Sequence, residues 1–297
     1  MRVAVVGASG LIGGHLARAL VARGDQVVAV SRGGAAGVEG ADDVRWDPAE
    51  GPPPPEAFAG ADAVVNLAGA PIGGRRWTVE RKREVRESRT TATRLVVDAL
   101  AAPGAPRALV NGSAVGYYGP TEETVDESAP PGTDFLGVTC VAWEREALRA
   151  REHGVRVVLI RSGLVLAAEG GILPTVARPV KLLAGGPIGG GRQWMPWVHI
   201  DDEIGLLLLA LDRDDVSGPL NGSAPEPVRQ RDFVKALGRV LGRPTVVPTP
   251  AVALRLAMGE MATLALDGQR AVPAAALAAG YVFAHTDVEA ALRAIYG

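Results

Sequence analysis

At 297 residues and 47% hydrophobic content, the chain is long enough for one large domain with a smaller lobe. A formal net charge of -2, with the arginines spread through the chain, excludes the electrostatic footprint of a nucleic-acid binder. One cysteine, Cys140, rules out an intrachain disulfide and a cysteine-rich metal centre, and His15, His153, His199 and His285 are too scattered to suggest a metal site.

The first thirteen residues, MRVAVVGASGLIG, run an apolar strand into Gly7, Gly10 and Gly13 and then open a helix. Val3 to Val6 form the continuous apolar run of a strand buried on both faces, and Leu11, Leu16, Ala19 and Leu20 recur at helical spacing. Each glycine has a separate task in such a turn. Gly7 makes the tight bend, Gly10 lets a pyrophosphate approach the backbone, and Gly13 packs helix on strand. Free backbone N–H groups at the helix start face the anion, so Gly7, Ser9, Gly10, Leu11, Ile12 and Gly13 form the expected phosphate cradle.

The second strand, Gln26 to Val30, ends in Ser31-Arg32 where an acidic residue would hold a ribose diol. A hydroxyl followed by a guanidinium suits a 2′-phosphate instead, which predicts NADP(H) over NAD(H). Val44 to Asp47 reads as a third strand, GPPPPEAF as a surface turn, and Ala63 to Leu67 as a fourth strand. A long charged helix follows from about Thr78 to Leu100, then a strand at Ala108 to Asn111, a helix at about Phe135 to Glu152 and a sixth strand at Val155 to Arg161. This alternation predicts an α/β fold, a Rossmann-type doubly wound parallel sheet whose ligand crevice lies beyond the carboxyl ends of the strands.

The second half breaks the alternation. From Gly170 to Trp197 the chain is rich in Gly and Pro, and Arg192, Gln193, Trp194 and Trp197 supply polar and aromatic groups for a substrate wall. The competing reading is a packing loop whose tryptophans fill the gap between lobes. Ala253 to Leu266 has the spacing of a helix packed on one face. The expected division is a cofactor domain over 1–165, completed by part of 198–222, and a smaller C-terminal substrate lobe from 166–197 and 223–297.

GASGLIG, VVNLAGAPI, GSAVGYYG and WVHIDD together resemble the extended short-chain dehydrogenase/reductase superfamily. More specifically, SR after strand two, SRTTATR on the long helix, DFL…C…WE on the next, GGPIGGGRQW and a short C-terminal domain from about Pro248 resemble its epimerase family protein branch. The resemblance covers nearly the whole chain and implies bound NADP(H). Carried over by position, it places cofactor contacts on the Gly7 to Gly13 loop, Ser31, Arg32, Leu67, Ala68, Glu84, Arg89 and Val165. Arg89 is read either as a cation facing the cofactor or as a surface charge paired with Glu84 or Glu87. Asp47 could reach the adenine amine or cap its own strand end. The long helices could pair into a homodimer, as superfamily members commonly do, and the expected ligand is a small-molecule substrate, with neither nucleic acid nor membrane as partner. Met1-Arg2 runs straight into the first strand with no apolar span, which reads as cytoplasmic.

The superfamily's chemistry needs a Ser and a Tyr with a Lys four residues later. Lys82, Lys181 and Lys235 all lack such a tyrosine. On the helix where the pair belongs, one register puts Cys140 and Glu144 in the slots and another puts Leu136 and Cys140 there. Counting back from Tyr118-Gly119 reaches Ala114 without a gap, or Ser113 with one inserted residue. An unassisted tyrosine near pKa 10 is ionised about one part in a thousand at neutral pH, so using it as a base costs about 4 kcal/mol. As an acid it carries no comparable cost. Ser113, Tyr117 and Tyr118 are therefore the candidate catalytic residues, and carbonyl reduction is favoured over epimerisation. Glu144 and His199 are alternative donors. A catalytically silent NADP(H) sensor is the rival function.

Overall fold

The computed structural model describes residues 1–297. Seven strands, β1 (Arg2–Val6), β2 (Gln26–Ser31), β3 (Asp42–Arg45), β4 (Ala63–Asn66), β5 (Ala108–Ala114), β6 (Arg156–Ser162) and β7 (Gly218–Gly222), form one sheet. Their order is β3-β2-β1-β4-β5-β6-β7 and every pair is parallel. The order reverses at β1, where β2 and β4 leave on opposite sides, and a crevice opens there at the strand ends.

Alternation along the strands explains the apolar runs. Val3 and Val5 face α1 (Leu11–Arg23) and α5 (Ile200–Asp212), in one core with Leu16, Leu20, Ile204 and Leu207. Ala4 and Val6 face the other way, toward Val96 and Val97 of α2 (Val79–Ala99) and Ala147 of α3 (Phe135–Leu148). With both faces covered, the central strands are apolar along most of their length, and the polar positions they carry, Asn66, Asn111, Ser113, Arg161 and Asn221, are buried. Thr78 caps α2 and Asp134 caps α3, each side chain accepting a backbone N–H of the first turn. The third helix is shorter than its periodicity predicts, giving way to a 3-10 turn over Arg149–His153.

A third core belongs to the C-terminal lobe. It joins Leu173, Ala177 and Val180 of α4 (Leu173–Lys181) to Phe233 and Leu237 of α6 (Gln230–Leu241) and Leu292 of the last helix, Val288–Tyr296. Helix α4 lies inside the segment read as irregular. Its Pro174 sits in the first turn, where no N–H partner is needed, and Pro179 lies near the end. The region from Ala253 to Leu266 departs from expectation more sharply. It is a helix α7 (Ala251–Met258) with no buried residue, a break at Gly259 (φ 62°) and then two short turns of helix.

Single carboxylates tie the lobes together. Glu127 accepts Asn221 N–H at 2.8 Å and Ala275 N–H at 3.1 Å, and the fully buried Asp202 accepts the N–H groups of Ala284 and His285. No helix is long and apolar enough to cross a membrane.

Candidate cofactor and active site

The three glycines separate by what a Cβ would meet. At Gly7, with φ 86°, it would touch the Leu67 carbonyl at 3.1 Å, and at Gly13 it would lie 2.3 Å from the Gly7 oxygen. Gly10 is different: beyond its own turn (Gly7 O, 3.2 Å) nothing lies within 4 Å of a Cβ. Tight turn and helix packing thus fall on Gly7 and Gly13, while Gly10 faces open crevice. Helix α1 starts with no side-chain cap and no acidic residue in its first turn, so its first N–H groups are free for an anion. Ser9 is exposed beside Gly10, whereas Leu11 and Ile12 are half-buried. Leu11 packs beneath Gly170 and Gly171, which closes one wall of the crevice.

Ser31 ends β2 and is 3% exposed, yet its hydroxyl has no protein hydrogen-bond partner. Arg32 beside it is exposed and forms no ion pair. Leu67 and Ala68 follow β4 across the crevice, with the Ala68 N–H on the Asn66 side chain. Val165 is buried on the short strand Leu164–Leu166. Asp47 accepts the Ala49 N–H at 3.0 Å, the local turn-capping role. Glu84 is exposed and held by Arg75 and Arg81. The surface-pair reading of Arg89 is therefore overturned: no carboxylate lies within 4 Å of it. Its guanidinium donates to the carbonyls of Ala70 and Val85 and stands 5.2 Å over the Trp143 ring. Burial, with the Arg81 charge adding, pushes its pKa below the ordinary arginine value. An orphaned buried hydroxyl, a glycine open to the crevice and an unpaired half-buried cation fit an anionic dinucleotide carrying a 2′-phosphate.

At the far end of the crevice the side chains are committed to one another. Ser113 donates to Glu144 at 2.6 Å, and Arg161 grips both Glu144 oxygens at 2.8 and 2.9 Å. Arg161 also donates to the Tyr118 hydroxyl at 2.9 Å, and Tyr118 donates to Asn221 at 2.7 Å. Arg161 was not singled out in the sequence, although a lone arginine in the apolar run VVLIRS was the available signal. Burial pushes the Tyr118 phenol up to about 12, against the lowering effect of Arg161. Tyr118 is 6% exposed and its proton is occupied, which corrects its candidacy as donor. Tyr117 stays half-buried, its ring 3.5 Å beneath the Arg161 guanidinium and its hydroxyl free of protein partners. Cys140 lies close by with its thiol aimed at the Ala114 carbonyl, and burial, aided by the Glu144 charge, pushes its pKa up to about 12.

Both Glu144 oxygens are taken as acceptors, by Arg161 and Ser113, which leaves neither turned to a substrate. His199 caps α5 through the Asp201 N–H and stacks on His285 at 3.8 Å, away from this network. In the expected substrate wall, Trp197 is 0% exposed, at the centre of the third core, with its indole N–H on the Glu226 carbonyl. It is packed inside the C-terminal lobe and is removed from the wall. Trp194 remains half-exposed, flanked by Arg229 at 3.7 Å and Arg270 at 4.7 Å. Gln193 donates to the Ala265 carbonyl and Arg192 is exposed.

Comparison with known proteins agrees with this architecture. Residues 3–221 match the NAD dependent epimerase/dehydratase family, and residues 249–295 match a domain of unknown function, DUF1731. An epimerase family protein of Mycobacterium leprae is 42% identical over 98% of this chain and 94% of its own length. The crystal structure of human epimerase family protein SDR39U1 with NADPH superposes with a TM-score of 0.90 at 38% identity, covering 100% of this chain and 99% of that one. A nucleoside-diphosphate sugar epimerase from Corynebacterium glutamicum gives 0.83 at 31% identity, over 100% of this chain and 58% of that one. The chain belongs to the NAD dependent epimerase/dehydratase family of extended short-chain dehydrogenase/reductases, in its epimerase family protein branch.

Proposed function

We propose that the chain is an NADP(H)-dependent oxidoreductase that reduces a carbonyl on a small or nucleotide-linked substrate. The observation that carries this reading is the pair at the end of β2, a buried Ser31 hydroxyl without a partner beside the exposed, unpaired Arg32. The human relative crystallised with NADPH supports the same cofactor, and the relative named as a nucleoside-diphosphate sugar epimerase supports the nucleotide-linked option. NADPH supplies hydride when bound. Tyr117 then protonates the developing alkoxide, because Tyr118, Ser113 and Cys140 already spend their hydrogens on Asn221, Glu144 and the Ala114 carbonyl. Ser113 therefore offers only lone pairs and accepts a hydrogen bond from a substrate group. Calorimetric titration tests the cofactor assignment. Charge-assisted bonds of about 1.5–3 kcal/mol give NADPH a tenfold to hundredfold preference over NADH, which Arg32→Ala removes. Equal affinities in the wild type would refute it.

One observation favours the rival reading of a silent cofactor sensor. Neither register of the superfamily's Tyr/Lys pair, Cys140 with Glu144 or Leu136 with Cys140, supplies a lysine, and Glu144 is locked to Arg161. A sensor binds NADPH, turns over none of a broad carbonyl panel, and changes the protease sensitivity of its C-terminal lobe when loaded.

A further inference from the structure

Two segments of the C-terminal lobe, 170–191 and 233–259, contain no aspartate or glutamate. They carry Arg178, Lys181, Lys235, Arg239, Arg243 and Arg255, of which Arg239 alone has a carboxylate within 4 Å, that of Glu289. The fold lays the two segments side by side. Val247 N–H bonds the Gly185 carbonyl at 3.2 Å, Thr249 N–H the Pro187 carbonyl at 2.9 Å, and Gly189 N–H returns to Thr249 at 2.8 Å. Helix α7 starts two residues later.

Exposed aliphatic side chains crown this charged surface. Leu182 is 69% exposed, Leu183 55%, Val246 78%, Val252 66% and Leu256 75%, which concentrates much of the molecule's exposed large hydrophobic area on one edge. Helix α7, AVALRLAM, is apolar at every position but Arg255 and buries none. Leu183 is the only non-glycine residue with positive φ, at 62°, a conformation that leucine rarely adopts, and here it holds the side chain out into solvent.

We propose that this edge docks the protein on an anionic lipid bilayer, its aliphatic tips entering the acyl boundary and its cations meeting the headgroups. Charge selects that occupant. A second copy would bring two predominantly cationic faces together, which Coulomb repulsion opposes. A protein partner is disfavoured because the edge exposes no Trp, Tyr or Phe, the anchors that dominate protein interfaces. The protein lies on the bilayer and does not span it, as the absence of any spanning helix requires.

The test is flotation of the full chain with phosphatidylcholine vesicles containing about one third phosphatidylglycerol. The wild type is expected to float with these vesicles, to stay behind with pure phosphatidylcholine, and to be released by high salt. The double variant Leu183→Gly, Val246→Ser loses only exposed groups, so its thermal unfolding midpoint stays unchanged while its partition falls by about tenfold or more. Arg178→Gln with Lys181→Gln should cost about tenfold as well. Failure of the wild type to float overturns the proposal, as does equal flotation of the aliphatic variant. A dimer by light scattering that this variant makes monomeric would assign the edge to a second copy. Salt-sensitive retention on an acidic polypeptide without flotation would assign it to a protein.

Discussion

Replacing Glu144 by alanine leaves the Arg161 guanidinium, 4% exposed, without its counter-charge, and the Ser113 hydroxyl without its acceptor. In the intact protein burial opposes the Arg161 charge, but Glu144 and Tyr118 outweigh it and hold the group above its ordinary pKa. An arginine guanidinium keeps its proton even without that support, so the cation cannot escape by deprotonating. Breaking one side of a buried ion pair costs about 3–5 kcal/mol, which for a chain of this size lowers the melting temperature by about 5–8 °C. The pair itself is worth far less, because two desolvated charges roughly cancel their mutual attraction. Glu144→Met combined with Arg161→Met is thus expected within about 2 kcal/mol of wild type, giving a strongly non-additive double-mutant cycle. Urea unfolding of the four proteins measures this, with NADPH affinity as a second readout that should stay constant because the phosphate cradle lies elsewhere. A Glu144→Ala loss below about 1 kcal/mol, or additivity across the cycle, would refute the claim that the network is a closed, desolvated unit.

The glycine loop should split by position: Gly10→Val keeps its unfolding midpoint and loses NADPH binding by calorimetry, whereas Gly13→Val loses both, its Cβ being forced onto the Gly7 carbonyl. Burial pushes the fully enclosed Glu203 carboxyl up to about 7, against a lowering bond from Ser162. Since the folded state then binds this proton more tightly than the unfolded one, its contribution to stability is fully present below about pH 4.5 and is lost as pH rises through 7. The wild-type-minus-Glu203→Gln difference in unfolding free energy should fall by about 3 kcal/mol across that window, and a flat difference would contradict it. With a carbonyl substrate in hand, Tyr117→Phe should lower turnover about a hundredfold at unchanged cofactor affinity. Tyr118→Phe should instead lower the melting temperature, by removing one link between Arg161 and Asn221.

Local signals in the sequence carried the cofactor half of the molecule. A strand, three spaced glycines and a helix use short-range physics, and alternation of Val3, Val5 with Ala4, Val6 between two helical layers is the direct expression of a strand buried on both faces. Ser31 was legible because its position at a strand end fixes where its side chain must lie. The far end of the crevice was not, since Arg161, Glu144, Tyr118 and Asn221 come from four separate elements and no spacing announces their meeting. Trp197 misled for a related reason: an aromatic in a Gly/Pro-rich stretch suggests a binding wall, and only the third core shows it to be buried inside the C-terminal lobe. Helix α4 was hidden by its two prolines, and α7 by an apolar pattern that in a folded chain normally implies burial.

Glu127 has a consequence for how the chain is made. Its two oxygens hold residue 221, the last strand of the sheet, and residue 275, near the end of the chain. During synthesis from the N-terminus, the first six strands and the Glu144–Arg161 pair emerge well before either partner exists. Until Gly218–Gly222 adds its strand, β6 is an open sheet edge carrying a buried-type ion pair exposed to water. A chain ending near residue 230 would hold a complete sheet, yet Asn221 would lack its Val272 acceptor and Glu127 its second donor. Such a chain should be captured by holdase chaperones and cut readily around residue 127, and restoring residues 231–297 should abolish both behaviours together.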